Sequence, residues 1–192
     1  MLYFKIKSKK KPFLCILVLT DATSRGTLMV KQPHPKCTFG YEEITESMNH
    51  CQEILAKMPY APPFLFVDEF SAITENGAKG SYTFKKDEYF YQGHFPENPV
   101  TPGVIMTETM AQIGLVGLGM YLTKAYQQEV IRHFVFTASE VFFRKKVMPG
   151  ETVFVESTKV YFRLNALKCK VVMTNQQGET VCHGTLSGAM IR

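Results

Sequence analysis

Hydrophobic and polar positions alternate along much of the chain from about residue 134 onward. Such alternation predicts β-strands, because successive side chains of a strand point to opposite faces of a sheet. Segments 149–151 and 176–179 interrupt the alternation with proline, glycine and polar residues that favour turns. We therefore predict an antiparallel meander whose strands cover residues 134–136 continued by 140–147, then 153–161, 166–175 and 180–191.

A long apolar run begins at Gly103 and continues to about Lys124. It is hydrophobic on nearly all sides, so it predicts a buried helix rather than a helix lying on a surface. Three glycines in this run lower its helix propensity. They predict that a sheet or a partner helix comes close to the helix backbone: Gly114, Gly117 and Gly119.

Upstream of this run, residues 42–58 predict another helix, because Ile44, Met48, Cys51 and Leu55 recur at helical spacing. Prolines from Pro59 onward end it. Residues 64–67 predict a compact apolar strand, and residues 80–85 predict a second strand. One buried helix, with two strands before it and a meander after it, indicates an α+β fold in which an antiparallel sheet wraps around a central helix.

A chain of 192 residues with 45% hydrophobic and 20% charged residues fits one domain with an extension. We assign residues 1–40 to a basic, then apolar, then linker-like N-terminal extension, and residues 41–192 to the domain. The net charge of +5 comes from five lysines between positions 5 and 11, because the other 17 basic residues balance 17 acidic ones. The domain is therefore not expected to bind nucleic acid.

The N-terminal lysines followed by residues 13–19 resemble the basic and apolar parts of a secretory signal, but residues 20–24 make a poor cleavage site. An added strand or a flexible extension is the alternative, and Met29 or Met48 could be the natural start. Five cysteines without a CxxC spacing predict reduced thiols in a cytoplasmic protein and no zinc site. No membrane span is expected, because Glu108 and Gln112 interrupt the most apolar run.

The candidate chemistry lies just before the central helix and in its first turns. His94 sits in a loop containing Pro96, Pro99 and Pro102, and Glu108 is the lone carboxylate of the apolar run. An imidazole and a buried carboxylate can act as a general acid/base pair, since burial tunes each pKa toward neutrality. The alternatives are a hydrogen-bonded loop histidine and a carboxylate that stabilises the helix dipole. Gln112, one turn beyond Glu108, could orient the carboxylate or fill a buried polar gap.

The segment Gln92-Gly93-His94-Phe95-Pro96, with Pro99, Pro102-Gly103-Val104 and Glu108, resembles the 3-hydroxyacyl-[acyl-carrier-protein] dehydratases of fatty-acid synthesis. Flanking pieces, at 53–55 with 63–68 and at 143–151, are similar as well. The resemblance covers about residues 50–192. It implies the hot-dog fold, an antiparallel sheet wrapped around a long α-helix.

The resemblance also implies a reaction: dehydration of (3R)-3-hydroxyacyl-ACP to trans-2-enoyl-ACP, in fatty-acid or related polyene or lipid biosynthesis. His94 would be the general base, Glu108 the general acid, and the Gly103 amide the group that holds the thioester carbonyl. Phe95, Pro102, Val104 and Gln112 would support them, and Arg144, Lys145 and Lys146 could dock the acidic carrier protein. No cofactor and no metal are implied. The His and Glu of one site come from different subunits in that family, which implies a homodimer, or a trimer of dimers.

The family usually has glycine where Glu97 stands and an apolar residue where Thr101 stands, so we expect substrate specificity to differ there. A family His-Arg-Tyr segment is replaced by Tyr60-Ala61-Pro62. Two other functions stay open at this point: an acyl thioesterase on the same fold, and a non-catalytic protein that binds acyl chains or acyl carrier protein. Related enzymes that also isomerise carry Asp at the acid position, so Glu108 favours dehydration alone.

Overall fold

The computed structural model describes residues 49–127 and 133–191. The predicted extension at 1–40, and the first part of the helix predicted over 42–58, lie outside the described residues. Within them, helix α1 covers residues 49–56 and buries Cys51 and Ile54. This part of the predicted helix is confirmed.

Within the described residues, six antiparallel strands form one sheet: β1 (Glu69–Thr74), β2 (Gly77–Thr83), β3 (His133–Phe143), β4 (Thr152–Arg163), β5 (Ala166–Asn175) and β6 (Thr180–Ile191). Their order across the sheet is β1-β2-β4-β5-β6-β3. Along β4 and β5 buried positions alternate with more exposed ones as the pattern requires, and the buried face packs on the central helix. In β4, for example, Val153 and Val155 are buried while Phe154 between them is exposed.

The predicted bounds of β5 and β6 are confirmed, but the predicted meander is wrong in its first strand. The predicted strand, 134–136 continued by 140–147, is a single strand as expected, but it ends at Phe143 rather than at 147. It also pairs with β6 rather than with β4. Strand β4 pairs instead with β2. In the sequence, β2 precedes the central helix and β4 follows it. Local turn residues identify hairpins, whereas this pairing joins segments that the helix separates, so the pattern could not reveal it.

The strand predicted over 64–67 is also wrong, because the first strand begins at Glu69. The backbone of this segment is bonded to a side chain instead. The Phe66 N–H donates to Gln112 Oε1 at 2.7 Å, and Gln112 Nε2 donates to the Phe64 carbonyl at 2.9 Å. The segment is as apolar as a strand, but its backbone partners come from the central helix. The second predicted strand, 80–85, is shifted toward the N-terminus as β2.

The central helix spans Gly103–Leu122. It consists of α2 (Gly103–Ala111), a π-helical stretch (Gln112–Gly117) and α3 (Leu118–Leu122). By length and composition it is apolar enough to cross a membrane, yet 78% of its most apolar window is buried inside the protein. This is the environment of a core helix, as predicted from its apolar character.

The glycines of the central helix lie where the surrounding sheet comes closest. A Cβ atom at Gly114 would sit 3.0 Å from Ser157 Cβ, and one at Gly117 would sit 2.5 Å from the Phe70 ring. At Gly119 the added atom would overlap the Phe134 ring. The predicted close approach of the sheet is therefore confirmed, and each glycine exchanges helix propensity for tight packing.

We expect Gly117→Ala to destabilise the fold by about 1–3 kcal/mol, because the new methyl group overlaps the buried Phe70 ring. This cost exceeds the gain of about 1 kcal/mol in helix propensity. Urea unfolding followed by circular dichroism measures it. Gly93→Ala is the matched control, since a Cβ there meets nothing within 4 Å. Equal stability of the two variants would contradict the packing explanation.

Candidate active site

His94 is held in a loop that runs from a short 3₁₀-helix, Tyr89–Gln92, to the start of the central helix. Its backbone N–H donates to the Phe90 carbonyl at 3.0 Å, and its carbonyl accepts from the Val100 N–H at 3.1 Å. The ring is tethered as well, because His94 Nδ1 lies 2.8 Å from the Val100 carbonyl oxygen. That oxygen can only accept, so Nδ1 carries the proton of the neutral ring and Nε2 keeps a lone pair. His94 is thus arranged as a base.

Glu108 is partly buried in the first half of the central helix, and its Oε1 accepts a hydrogen bond from Gln112 Nε2 at 2.9 Å. Burial raises the pKa of the Glu108 carboxyl, and the bond from Gln112 offsets this only in part. The protonated form is therefore favoured relative to an exposed glutamate. Since Gln112 donates to Oε1, Oε2 is left as the oxygen that can carry a proton.

Gln112 has a fully buried side chain whose three hydrogen bonds fix its orientation. Its carbonyl accepts from the Phe66 N–H, so the amide nitrogen must face the Phe64 carbonyl and Glu108. The two alternatives left open by the sequence both apply, because the residue orients the carboxylate and also satisfies backbone groups of the 64–66 segment.

The first turn of the central helix presents backbone amides beside this pair. The N–H groups of Ile105 and Met106 donate to the Pro102 carbonyl, so those of Gly103 and Val104 precede the first hydrogen-bonded turn. A Cβ at Gly103 would lie 3.0–3.3 Å from the Phe143 ring. A side chain at this position would therefore crowd the chain's own Phe143 ring, a contact that the sequence did not reveal.

The remaining residues predicted to support the site or to dock the carrier protein are mostly exposed. Pro102 is buried, whereas Phe95 is 58% exposed and Val104 is 76% exposed. The Phe95 ring stacks on the His94 ring with 4.3 Å between their centroids. Arg144, Lys145 and Lys146 are all exposed, and Lys145 forms an ion pair with Glu179 at 2.6 Å.

Tyr60 interacts electrostatically with Glu108, and sequence reasoning noticed it only as a departure from the family pattern. Burial, and secondly the negative charge of Glu108, raise the pKa of the Tyr60 phenol to about 12. Its ring also contacts the Phe64 ring, at 6.4 Å between centroids. A neutral phenol therefore lies near the carboxyl group. The signal that pointed to it was its position in the segment that replaces the family's His-Arg-Tyr.

Within residues 49–127 and 133–191, no hydrogen bond or ion pair joins His94 to Glu108 of the same chain. Among these residues there is also no group of three or more His, Cys, Asp or Glu side chains that could hold a metal ion. What the described part of the chain offers is an imidazole with an available Nε2, a carboxyl group whose pKa is raised by burial, and the amides of the first helical turn.

Solved structures with the same fold define the class of protein. The chain superposes on the dehydratase heterocomplex ApeI:P from Xenorhabdus doucetiae with a TM-score of 0.61, at 13% identity, over 72% of this chain and 91% of that one. A mutant thioesterase from Pseudomonas aeruginosa matches with a TM-score of 0.53, at 10% identity, over 73% and 93% of the two chains. The predicted hot-dog fold is confirmed.

Sequence comparison narrows this class to a family. The FabA-like domain matches residues 58–186. The 3-hydroxyacyl-[acyl-carrier-protein] dehydratase FabZ of Caldicellulosiruptor bescii is 36% identical, over 72% of this chain and 96% of its own length. The FabZ of Acetivibrio thermocellus is 36% identical, over 72% and 92%. The chain belongs to the FabA-like family of 3-hydroxyacyl-[acyl-carrier-protein] dehydratases, as its resemblance predicted. The predicted enzyme class, a hydro-lyase, is confirmed as well.

Proposed function

We propose that the protein dehydrates (3R)-3-hydroxyacyl-ACP to trans-2-enoyl-ACP, with His94 as general base and Glu108 as general acid. The observation that carries this proposal is the tether from His94 Nδ1 to the Val100 carbonyl, which leaves Nε2 available to accept a proton. Nε2 removes the proton from C2 of the substrate. Glu108 then protonates the hydroxyl group on C3, which leaves as water.

Glu108 suits the acid role because burial favours its protonated form. Gln112 holds Oε1, so the acidic proton on Oε2 can face a substrate. The Tyr60 phenol stays neutral beside it and adds a hydrogen-bond donor to the same region. Negative charge that develops on the thioester carbonyl is bound by the Gly103 amide at the positive end of the helix dipole.

We further propose that each site combines His94 of one subunit with Glu108 of another. Strand β3 supports this arrangement, because it lies at an edge of the sheet and exposes Val135, Phe136, Phe142 and Phe143. A long apolar edge strand is a surface on which a second chain can pair. The Phe143 ring packs against Gly103, so a subunit bound at this edge would lie close to the start of the central helix. A trimer of such dimers would use the same pair.

Mixing two inactive variants tests the shared site. Refolding His94→Ala together with Glu108→Gln should restore about a quarter of wild-type activity, because half of the dimers are mixed and each mixed dimer has one intact site. Each variant refolded alone is the control. A mixture as inactive as its components, with mixed dimers confirmed by native mass spectrometry, would place both residues of a site in one chain.

The acyl carrier protein would dock on the exposed segment Arg144–Lys146. Lys145 is already paired with Glu179, so Arg144 and Lys146 are the cations available to an acidic partner. The segment leads into Val147, whose carbonyl accepts from the Thr101 N–H at 2.9 Å next to the His94 loop. We place the protein in the cytoplasm. The free, buried thiols of Cys51, Cys169 and Cys182 support this location.

The direct test supplies the purified protein with 3-hydroxyacyl-ACP substrates of several chain lengths. We expect enoyl-ACP and water as products and no release of free thiol. A thioesterase on this fold would instead release the carrier thiol from acyl-ACP. A non-catalytic binder would bind acyl-ACP without turnover at any chain length, and that outcome would refute the proposal.

A further inference from the structure

The loop that carries His94 is closed at its base by a hydrogen bond between two buried hydroxyl groups. Tyr91 Oη lies 2.6 Å from Thr101 Oγ1. Tyr91 is 6% exposed and Thr101 is 3% exposed, so water does not compete for this bond. Thr101 is fixed a second time by its backbone N–H, which donates to the Val147 carbonyl.

This closure acts on His94 through the residue next to Thr101. Val100 precedes Thr101 directly, and it bonds to His94 twice, once through its carbonyl to Nδ1 and once through its N–H to the His94 carbonyl. Any shift of Thr101 therefore moves the acceptor that sets the orientation and tautomer of the imidazole ring. At the other end, Phe90, which precedes Tyr91, accepts from the His94 N–H. The two residues that bond to His94, Phe90 and Val100, are thus each adjacent in the sequence to one member of the hydroxyl pair.

We propose that Tyr91 and Thr101 are positioning residues for His94, and that their hydrogen bond holds the Val100 carbonyl where it selects the tautomer with the proton on Nδ1. This inference rests on the proposed role of His94 as the base. It also assigns Thr101 a different role from the one that the sequence suggested. The sequence suggested a site of altered substrate specificity, but the side chain is buried and bonded to the chain's own Tyr91. The hydroxyl group of Thr101 serves the loop rather than the substrate.

Single and double variants of the pair test the inference. Tyr91→Phe and Thr101→Val each break the bond without a large change in shape, and we expect kcat to fall about 10- to 100-fold with KM nearly unchanged. The double variant removes both hydroxyl groups, so no buried group is left unpaired and stability recovers toward wild type. Its kcat should stay as low as that of the single variants. Thr101→Ser keeps the hydroxyl group and should retain wild-type kcat.

A readout independent of activity is the ¹⁵N NMR spectrum of the His94 ring at mildly alkaline pH. We expect one tautomer, protonated at Nδ1, in the wild type and in Thr101→Ser, and a mixture of tautomers in Tyr91→Phe and Thr101→Val. If Tyr91→Phe does not fold, the comparison of Thr101→Ser with Thr101→Val still decides.

Three results would overturn the inference. They are an unchanged tautomer in Tyr91→Phe and Thr101→Val, equal kcat in Thr101→Ser and Thr101→Val, and a double variant whose kcat recovers together with its stability. Failure of the proposed function is distinguishable from all of these. The wild type would then turn over no 3-hydroxyacyl-ACP, while the tautomer measurement would still report whether the pair orients His94.

Discussion

Replacing His94 with alanine should lower kcat for dehydration of 3-hydroxyacyl-ACP by about 10²–10⁴-fold, the usual contribution of a positioned general base. The substitution removes the Nε2 lone pair that would take the proton from C2. It also removes the bond from Nδ1 to the Val100 carbonyl, which helps to hold the loop. A steady-state assay of enoyl-ACP formation measures the effect.

A second substitution separates these two losses. His94→Asn keeps an N–H donor that can face the Val100 carbonyl, yet it has no basic nitrogen, so we expect it to be as inactive as His94→Ala. His50→Ala is a control for replacing a histidine elsewhere, because this ring lies on helix α1 against the Tyr121 ring, at 6.0 Å between centroids. Activity of His94→Asn near that of the wild type would exclude His94 as the base.

Glu108→Gln should lower kcat by a similar factor, about 10²–10⁴-fold, because an amide cannot give a proton to the leaving hydroxyl. The neutral amide resembles the protonated carboxyl in size, and its oxygen can still accept from Gln112. We therefore expect binding of the acyl substrate to change little. The matched control is Glu156→Gln, which affects an exposed carboxylate paired with Lys79.

The same variant tests the raised pKa of Glu108 through stability. Burial raises the pKa of the folded state above that of the unfolded chain, so the buried neutral form stabilises the fold at low pH. That contribution is lost as pH rises through the folded-state pKa. Glu108→Gln stays neutral, so its stability relative to the wild type should increase as pH rises above about 4, where an exposed glutamate ionises, until the folded-state pKa of Glu108 is passed. A difference independent of pH would mean that burial does not shift this group.

The candidate residues of the site could be identified from the sequence because they lie close together along the chain. His94, Gly103 and Glu108 lie within 15 consecutive residues, and the prolines and the apolar helix around them constrain the backbone. The resemblance to the dehydratases rests on the same short segment. The hairpin strands β5 and β6 were equally readable, since alternation and a turn at 176–179 define them within one stretch of chain.

The sequence could not show which distant groups hold these residues. The Gln112 side chain bonds to the backbone of Phe64 and Phe66, which lie 48 and 46 positions away. These backbone groups are therefore not paired with a neighbouring strand, although residues 64–67 have the composition of one. The charge of Glu108 likewise acts on the pKa of Tyr60, which lies far from it in the sequence. Such contacts depend on how the central helix sits in the sheet, and no periodicity along the chain records that placement.

By itself, then, the sequence determined the class of fold, the central helix and the candidate residues for an acid/base pair, because each follows from residue type and local spacing. Only the tertiary structure decided that β3 pairs with β6 at an edge of the sheet, that Gly103 accommodates the Phe143 ring, and that Thr101 bonds to Tyr91. These are contacts across the fold. They form when packing brings together side chains that are distant in the sequence, and no local pattern of residues predicts which of them will meet.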